Sequence, residues 1–141
     1  MFLGEFTHNI DDKGRLTIPA RFRGELAAGL VVTRGFDNNL MVYPANEWEP
    51  VAEKIKSMPL TNPRARRLRW RIFSQAANLT PDRQGRILLP QDLRDAVGIE
   101  GEAVIVGMYN YVEIWSVPAW QEVRDVIENE DDAEQWTDLP I

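Results

Sequence analysis

One segment of this chain is written twice, and that repetition limits its fold more than any local propensity does. Asp11-Asp12-Lys13-Gly14-Arg15-Leu16-Thr17-Ile18-Pro19-Ala20-Arg21-Phe22-Arg23 returns 71 residues later as Asp82-Arg83-Gln84-Gly85-Arg86-Ile87-Leu88-Leu89-Pro90-Gln91-Asp92-Leu93-Arg94. Asp11, Gly14, Arg15, Pro19 and Arg23 recur as identities, and Leu16, Ile18 and Phe22 recur as apolar residues. With one residue inserted, the match continues at an offset of 72: Gly35 faces Gly107, Asn38 faces Asn110, Tyr43 faces Trp115 and Trp48 faces Trp120.

Each copy predicts the same local structure. Asp-x-x-Gly-Arg is a turn, in which Asp caps the bend and Gly supplies a positive φ. The leucine and β-branched residues after it predict a short strand, ended by Pro19 or Pro90 for want of a ladder donor. Short helices follow at 20–26 and 91–97, with Gly29 and Gly98 where they stop. Strands are expected at 30–33 and 39–43, with counterparts at 103–106 and 111–115. Residues 45–77 predict two helices, broken at Met58-Pro59 and Asn62-Pro63, because a residue before proline avoids the α region. Asn62 is positioned to cap the second, whose apolar stripe is Leu68, Ile72 and Ala76. A last helix is expected at 119–128, and the acidic run 130–134 reads as a frayed end or tail.

Three short strands and one helix cannot enclose a core, but two copies can bury each other's apolar faces. The expected fold is therefore α+β: two β repeats forming one pseudo-dimeric unit with peripheral helices. Residues 1–79 are the first repeat with its helices. Residues 80–141 are the second, with the C-terminal helix and acidic tail, and the two make one compact unit. The alternative, two independent β modules, would leave each near the ~40-residue limit for folding alone.

Composition narrows the function. There is no cysteine and only one histidine, His8. A disulfide scaffold, a thiolate metal site and a multi-histidine site within one chain are excluded, so neither metal nor cofactor is expected. No apolar stretch approaches the ~20 residues that span a bilayer. The first residues lack the basic start and apolar run of a signal peptide, which favours a cytoplasmic protein with no membrane partner. The net charge of −6 makes nucleic acid a poor first guess. Yet residues 1–79 carry 12 Lys and Arg against 8 Asp and Glu, whereas residues 80–141 carry 4 against 14.

The turns hold the most suggestive chemistry. Lys13 and Arg15 flank Gly14, so both side chains can project from the corner. Arginine can give two parallel bonds to guanine O6 and N7, and lysine a point charge to phosphate or guanine. Asp11 can fix Arg15 through a bidentate pair or simply cap the turn. In the second copy Gln84 replaces Lys13 and Arg83 replaces Asp12, while Arg86 keeps the place of Arg15. The second corner, Asp82 to Arg86 with Gly85 at its bend, therefore either contacts DNA less or serves an oligomer interface. Arg21 and Arg23 lie on the short helix and could touch phosphates. The densest basic run, residues 64–71, reads either as a phosphate-binding helix or as a helix paired with acidic residues of its own chain or a neighbour. The acidic C-terminal segment is its natural complement.

These residues resemble the MraZ family, and more broadly the AbrB/MazE-like swapped-hairpin DNA-binding fold. The likeness rests on the opening Phe2-Leu3-Gly4-Glu5-Phe6, the segment from Asp11 to Arg23, and the second Asp-x-x-Gly-Arg-x-x-x-Pro, and it covers nearly the whole chain. It implies exchanged hairpins that build one barrel-like β unit, with both copies carried on one chain. It implies a ring-shaped homo-oligomer, associated with the nucleoid, that binds duplex DNA at repeated short G-rich promoter sites upstream of the division and cell-wall genes, and usually represses them. Lys13, Arg15, Arg83 and Arg86 are then the DNA-contacting candidates, supported by Asp11, Gly14, Asp82 and Gly85.

Two rival readings remain. An enzyme would need convergent groups in a cleft. Asp11 and Asp12 are adjacent and point to opposite faces of an extended segment. The repeated element carries no nucleophile with a base, no phosphate-binding glycine loop and no metal spacing, so no enzyme is expected. An antitoxin-like module that binds protein without reading DNA is the stronger rival, and the negative net charge supports it.

Overall fold

Each Asp-x-x-Gly-Arg corner folds the chain back into a three-residue strand, and the proline after it opens a seven-residue helix. In the computed structural model, which describes residues 1–129 and 133–141, this unit occurs twice. The first copy runs β1 (Glu5–Asn9), β2 (Arg15–Thr17), α1 (Ala20–Leu26), β3 (Leu30–Arg34), β4 (Leu40–Pro44) and α2 (Ala45–Lys56). After α3 (Pro63–Phe73), the second runs β5 (Ala77–Leu79), β6 (Arg86–Leu88), α4 (Gln91–Val97), β7 (Glu102–Gly107), β8 (Val112–Trp115) and α5 (Val117–Asn129). A 3₁₀ turn, Ala133–Trp136, follows.

The strands form a six-stranded sheet in the order β1-β7-β8-β4-β3-β5 and a two-stranded ribbon of β2 with β6. Every pairing is antiparallel. The order reads as two halves about the β8–β4 seam. The outer strand of each half comes from the other copy: β1 pairs with β7, and β5 pairs with β3. The ribbon also takes one strand from each copy. Both copies are thus needed to complete every β element except the hairpins β3–β4 and β7–β8.

Strand alternation sends the sheet's side chains to two sides. On one, Leu40, Val42, Ala103 and Ile105 join Leu16, Ile18, Phe22, Ile87, Leu89 and Leu93 in the main core. Phe22 is met edge-on by Phe2, ring centroids 5.1 Å apart, and by Phe6. Full burial of each large apolar side chain contributes about 1.5–3 kcal/mol. On the other side, Met41 and Tyr43 pack beneath α2 and α3, and Val104, Val106 and Trp115 beneath α5. The sheet is therefore the middle layer, between the ribbon with α1 and α4 and the outer helices.

Several expectations need correction. Each copy has a leading strand, β1 or β5, that the sequence pattern did not announce. The strand 39–43 begins and ends one residue later, and its terminal Pro44 is also the N-cap of α2. Ala76 lies beyond the end of α3, so the inward stripe is the buried Ala65 and Ile72 with the partly buried Leu68. The last helix starts at Val117 and takes Pro118 into its first turn, where a missing donor costs no intrahelical bond. Of the acidic run, Glu130, Asp131 and Asp132 lie outside the described residues.

Candidate nucleic-acid interface

The two repeated corners share one geometry. Asp11 Oδ1 accepts hydrogen bonds from the backbone N–H of Lys13 (3.0 Å) and of Arg15 (2.8 Å), while its Oδ2 accepts from Arg15 Nε at 2.6 Å. Asp82 does the same with Gln84 N (2.9 Å), Arg86 N (2.9 Å) and Arg86 Nε (2.9 Å). Capping the turn and fixing the arginine, posed by the sequence as alternatives, are done by one carboxylate at once. These bonds hold both carboxyls below their usual range, chiefly through the arginine's own backbone N–H and then through its guanidinium.

The ribbon sets the corners side by side. Arg15 faces Leu88, Leu16 faces Ile87, and Thr17 faces Arg86. Leu16 and Ile87 point into the core with at most 1% of their surface exposed. The alternation therefore puts Arg15, Thr17, Arg86 and Leu88 on the outer face. Arg15 and Arg86 stand on a diagonal of this ladder, about 7–8 Å apart at the backbone. Each is tied to its aspartate through Nε, which leaves the two terminal nitrogens of the guanidinium to point onward. Lys13 and Arg83 are exposed, and neither side chain has a hydrogen-bond or ion-pair partner among the described residues.

Each corner is also clasped by the other copy. Ile18 N donates to Gly85 O (2.8 Å), and Leu89 N donates to Gly14 O (2.9 Å). Gly14 and Gly85 have φ of 86° and 76°, and a Cβ on either would overlap the guanidinium of Arg94 or Arg23. Those arginines are pinned by donation from Nε to Ile18 O (2.9 Å, Arg23) and Leu89 O (3.1 Å, Arg94). Arg23 thus braces the second corner, and Arg94 braces the first. Sequence reasoning placed Arg23 among possible phosphate contacts and missed this role. The signal was available, since Arg23 and Arg94 are identities of the repeat with no turn or strand function of their own. Leu88, 56% exposed between the arginines, was also missed.

The basic helix α3 behaves differently from one half of its sequence reading. Arg66 donates to Leu60 O, Arg69 to Lys56 O, and Arg71 to Gly35 O and Asp37 O. Among the described residues no α3 arginine pairs with a carboxylate of its own chain. The described residues include no group of three or more His, Asp or Glu arranged to hold a metal ion. No described helix is long and apolar enough to cross a membrane.

Fold and corner together define a class: mixed α+β proteins in which one chain carries two interlocked copies of a small antiparallel unit with paired Asp–Arg corners. A model of the family described as "MraZ protein, putative antitoxin-like" matches residues 1–70 and again residues 72–139, once for each copy. The chain is 51% identical over 130 residues to the transcriptional regulator MraZ of Herpetosiphon aurantiacus, covering 92% of this chain and 91% of that one. It is 53% identical over 120 residues to the namesake from Thermomicrobium roseum (85% and 84%). It is 43% identical over the full length of both chains to that of Syntrophomonas wolfei. The chain belongs to the MraZ family.

Proposed function

We propose that this chain regulates transcription by binding duplex DNA through the outer face of the β2·β6 ribbon. The observation that carries the reading is the shared outward face of Arg15 and Arg86, each held at Nε by its own aspartate. A guanidinium held this way keeps two parallel donors for guanine O6 and N7, the commonest specific contact in the major groove. A two-stranded ribbon is one of the elements that groove admits. Lys13 and Arg83 flank the pair and neutralise phosphates, and Leu88 offers an apolar contact between them. The brace from Arg23 and Arg94 fixes both corners before DNA arrives, which lowers the ordering cost of binding.

The strand exchange between copies fits the swapped-hairpin, barrel-like arrangement implied by the family likeness, with residues 1–79 and 80–141 as interdependent halves. From the same likeness come a ring-shaped homo-oligomer, repeated short G-rich sites in the promoter of the division and cell-wall genes, a repressing role, and a place in the cytoplasm at the nucleoid. A ring also resolves the charge problem. Several modest contacts on adjacent repeats add through effective concentration, although the chain as a whole is acidic.

A gel shift on a fragment carrying such repeats tests the reading. Wild type should bind, with affinity falling roughly one log unit per log unit of salt for each phosphate neutralised. Arg15→Ala should lose specific binding while keeping its circular dichroism spectrum. Salt-insensitive or absent binding by the wild type would favour the antitoxin-like reading instead.

A further inference from the structure

The outer face of the ribbon carries four side chains, and one of them is apolar. Arg15 stands directly across from Leu88, and Thr17 across from Arg86. Leu88 therefore has one arginine opposite it, with Cβ atoms about 4.5–5.5 Å apart, and the other two residues back along its own strand. It belongs to none of the hydrophobic clusters among the described residues. It is 56% exposed, whereas the side chains of Arg15 and Arg86, drawn back onto their aspartates, are 34% and 27% exposed. The guanidiniums do not stand clear of the leucine, so a surface close enough to meet them meets it as well. The repeat adds a contrast: Leu88 holds the place that Thr17 holds 71 residues earlier. The arginines match between the copies, and the residues beside them do not.

An exposed leucine alone signifies nothing. This one lies beside a guanidinium that, on the proposed function, takes guanine O6 and N7. Base pairs stack about 3.4 Å apart, so a side chain across the ladder from Arg15 falls against the neighbouring pair. The major-groove edge there presents amino donors, carbonyl and ring-nitrogen acceptors, and a single apolar group, the C5 methyl of a pyrimidine. Leucine has nothing to offer a donor or an acceptor. Covering one without replacing its water costs free energy, while covering a methyl group gains it. Threonine, at the equivalent place in the first copy, carries a hydroxyl that suits donor and acceptor alike and imposes no such choice.

We propose that Leu88 is a specificity-determining residue, which reads the C5 methyl group of a pyrimidine in the base pair next to the guanine held by Arg15. Thymine supplies that group in ordinary DNA, and 5-methylcytosine supplies it in modified DNA. One cross-strand pair, Arg15 with Leu88, thus reads a guanine and its neighbour together. The inference rests on the proposed function and names what that site selects beside guanine.

Fluorescence anisotropy tests it on a duplex that the wild-type chain enriches from a pool of random sequence. Each thymine in turn is replaced by deoxyuridine, which removes the C5 methyl group and nothing else. Wild type is expected to weaken about fourfold at a thymine beside a guanine, the worth of one methyl group taken out of water. Leu88→Ser, checked for folding by circular dichroism, is expected to bind the thymine and deoxyuridine duplexes alike, at the wild type's weaker level. Leu88→Met, which keeps an apolar side chain, should restore the difference. Cytosine and 5-methylcytosine set at the same place separate the two sources: a gain on methylation means that the methyl group suffices, and no gain means that thymine alone is taken. Wild type that ignores the methyl group at every pyrimidine, or that enriches guanines with no thymine beside them, would overturn the inference and leave guanine reading standing. So would a Leu88→Ser variant that keeps the wild type's response. Wild type that enriches no sequence would overturn the proposed function and this inference together.

Discussion

Asp11 and Asp82 each do three things with one carboxylate: they cap a turn, fix a guanidinium, and leave that guanidinium's terminal nitrogens free. Both carboxyls titrate below the ordinary range in the folded chain. A depressed folded value means stability that is present above the unfolded value and lost as pH falls through the folded one. Thermal stability should therefore decline below about pH 4, and the Asp11→Asn, Asp82→Asn double variant should flatten that decline. Gly14 is a sharper case. Gly14→Ala would force a side chain into a left-handed backbone, costing about 1–2 kcal/mol, and would push Arg94 from its brace. Urea denaturation should read the cost, and DNA affinity should fall with it. Arg94→Gln separates the two effects, since it removes the brace without the backbone strain. The Asp–Arg pair was legible in the sequence because it is local, four residues apart and repeated. The braces showed only as repeat identities with no assigned role, because Arg23 meets Gly85 only after the copies interlock.

At the scale of elements, sequence pattern served well where one rule acts alone. Asn62 was read as a cap with Pro63 behind it, and its side chain accepts from the backbone N–H of Arg64 (2.9 Å) and Ala65 (3.4 Å). Asn62→Ala should cost about 1 kcal/mol in chemical denaturation, since among the described residues no other side chain caps that end of α3. Pattern failed for β1 and β5. Glu5-Phe6-Thr7-His8-Asn9 has a single large apolar residue, and Ala77-Asn78-Leu79 is only three residues long. Both are outer strands, and such strands need little apolar content because only one edge pairs and one face is covered. What makes them strands is a partner from the other copy, which no local window contains. The ribbon is the opposite case. Leu16 and Ile87 face each other at its centre and both are buried, so Leu16→Ala should cost about 2–5 kcal/mol and expose the site to disorder.

For the whole molecule, we propose that the strand exchange makes the two repeats a single folding unit. Neither half can complete its sheet, its ribbon or its main core alone. Fragments 1–79 and 80–141 should each lack cooperative thermal unfolding when isolated, and should regain it when mixed. A fragment that melts cooperatively by itself would show the repeats to be independent. Sequence symmetry suggested two copies burying each other's apolar faces and gave no sign of the asymmetry laid over them. The helix α3 adds a second covering helix to the first copy only, and this follows from an insertion between the repeats rather than from anything inside them. The same insertion carries the basic run whose purpose the sequence left divided between phosphates and partner carboxylates. Among the described residues the hydrogen bonds of its arginine side chains go to carbonyls, from Arg66, Arg69 and Arg71.

The central claim is that Arg15 and Arg86 read guanines through the major groove. Methylation interference tests it most directly, because methylating guanine N7 blocks the edge a guanidinium would grip and leaves the backbone untouched. Bound DNA should be depleted of molecules methylated at guanines within each repeat, and the Arg15→Ala variant should show no such depletion. Strong binding that ignores N7 methylation at every guanine would contradict the account.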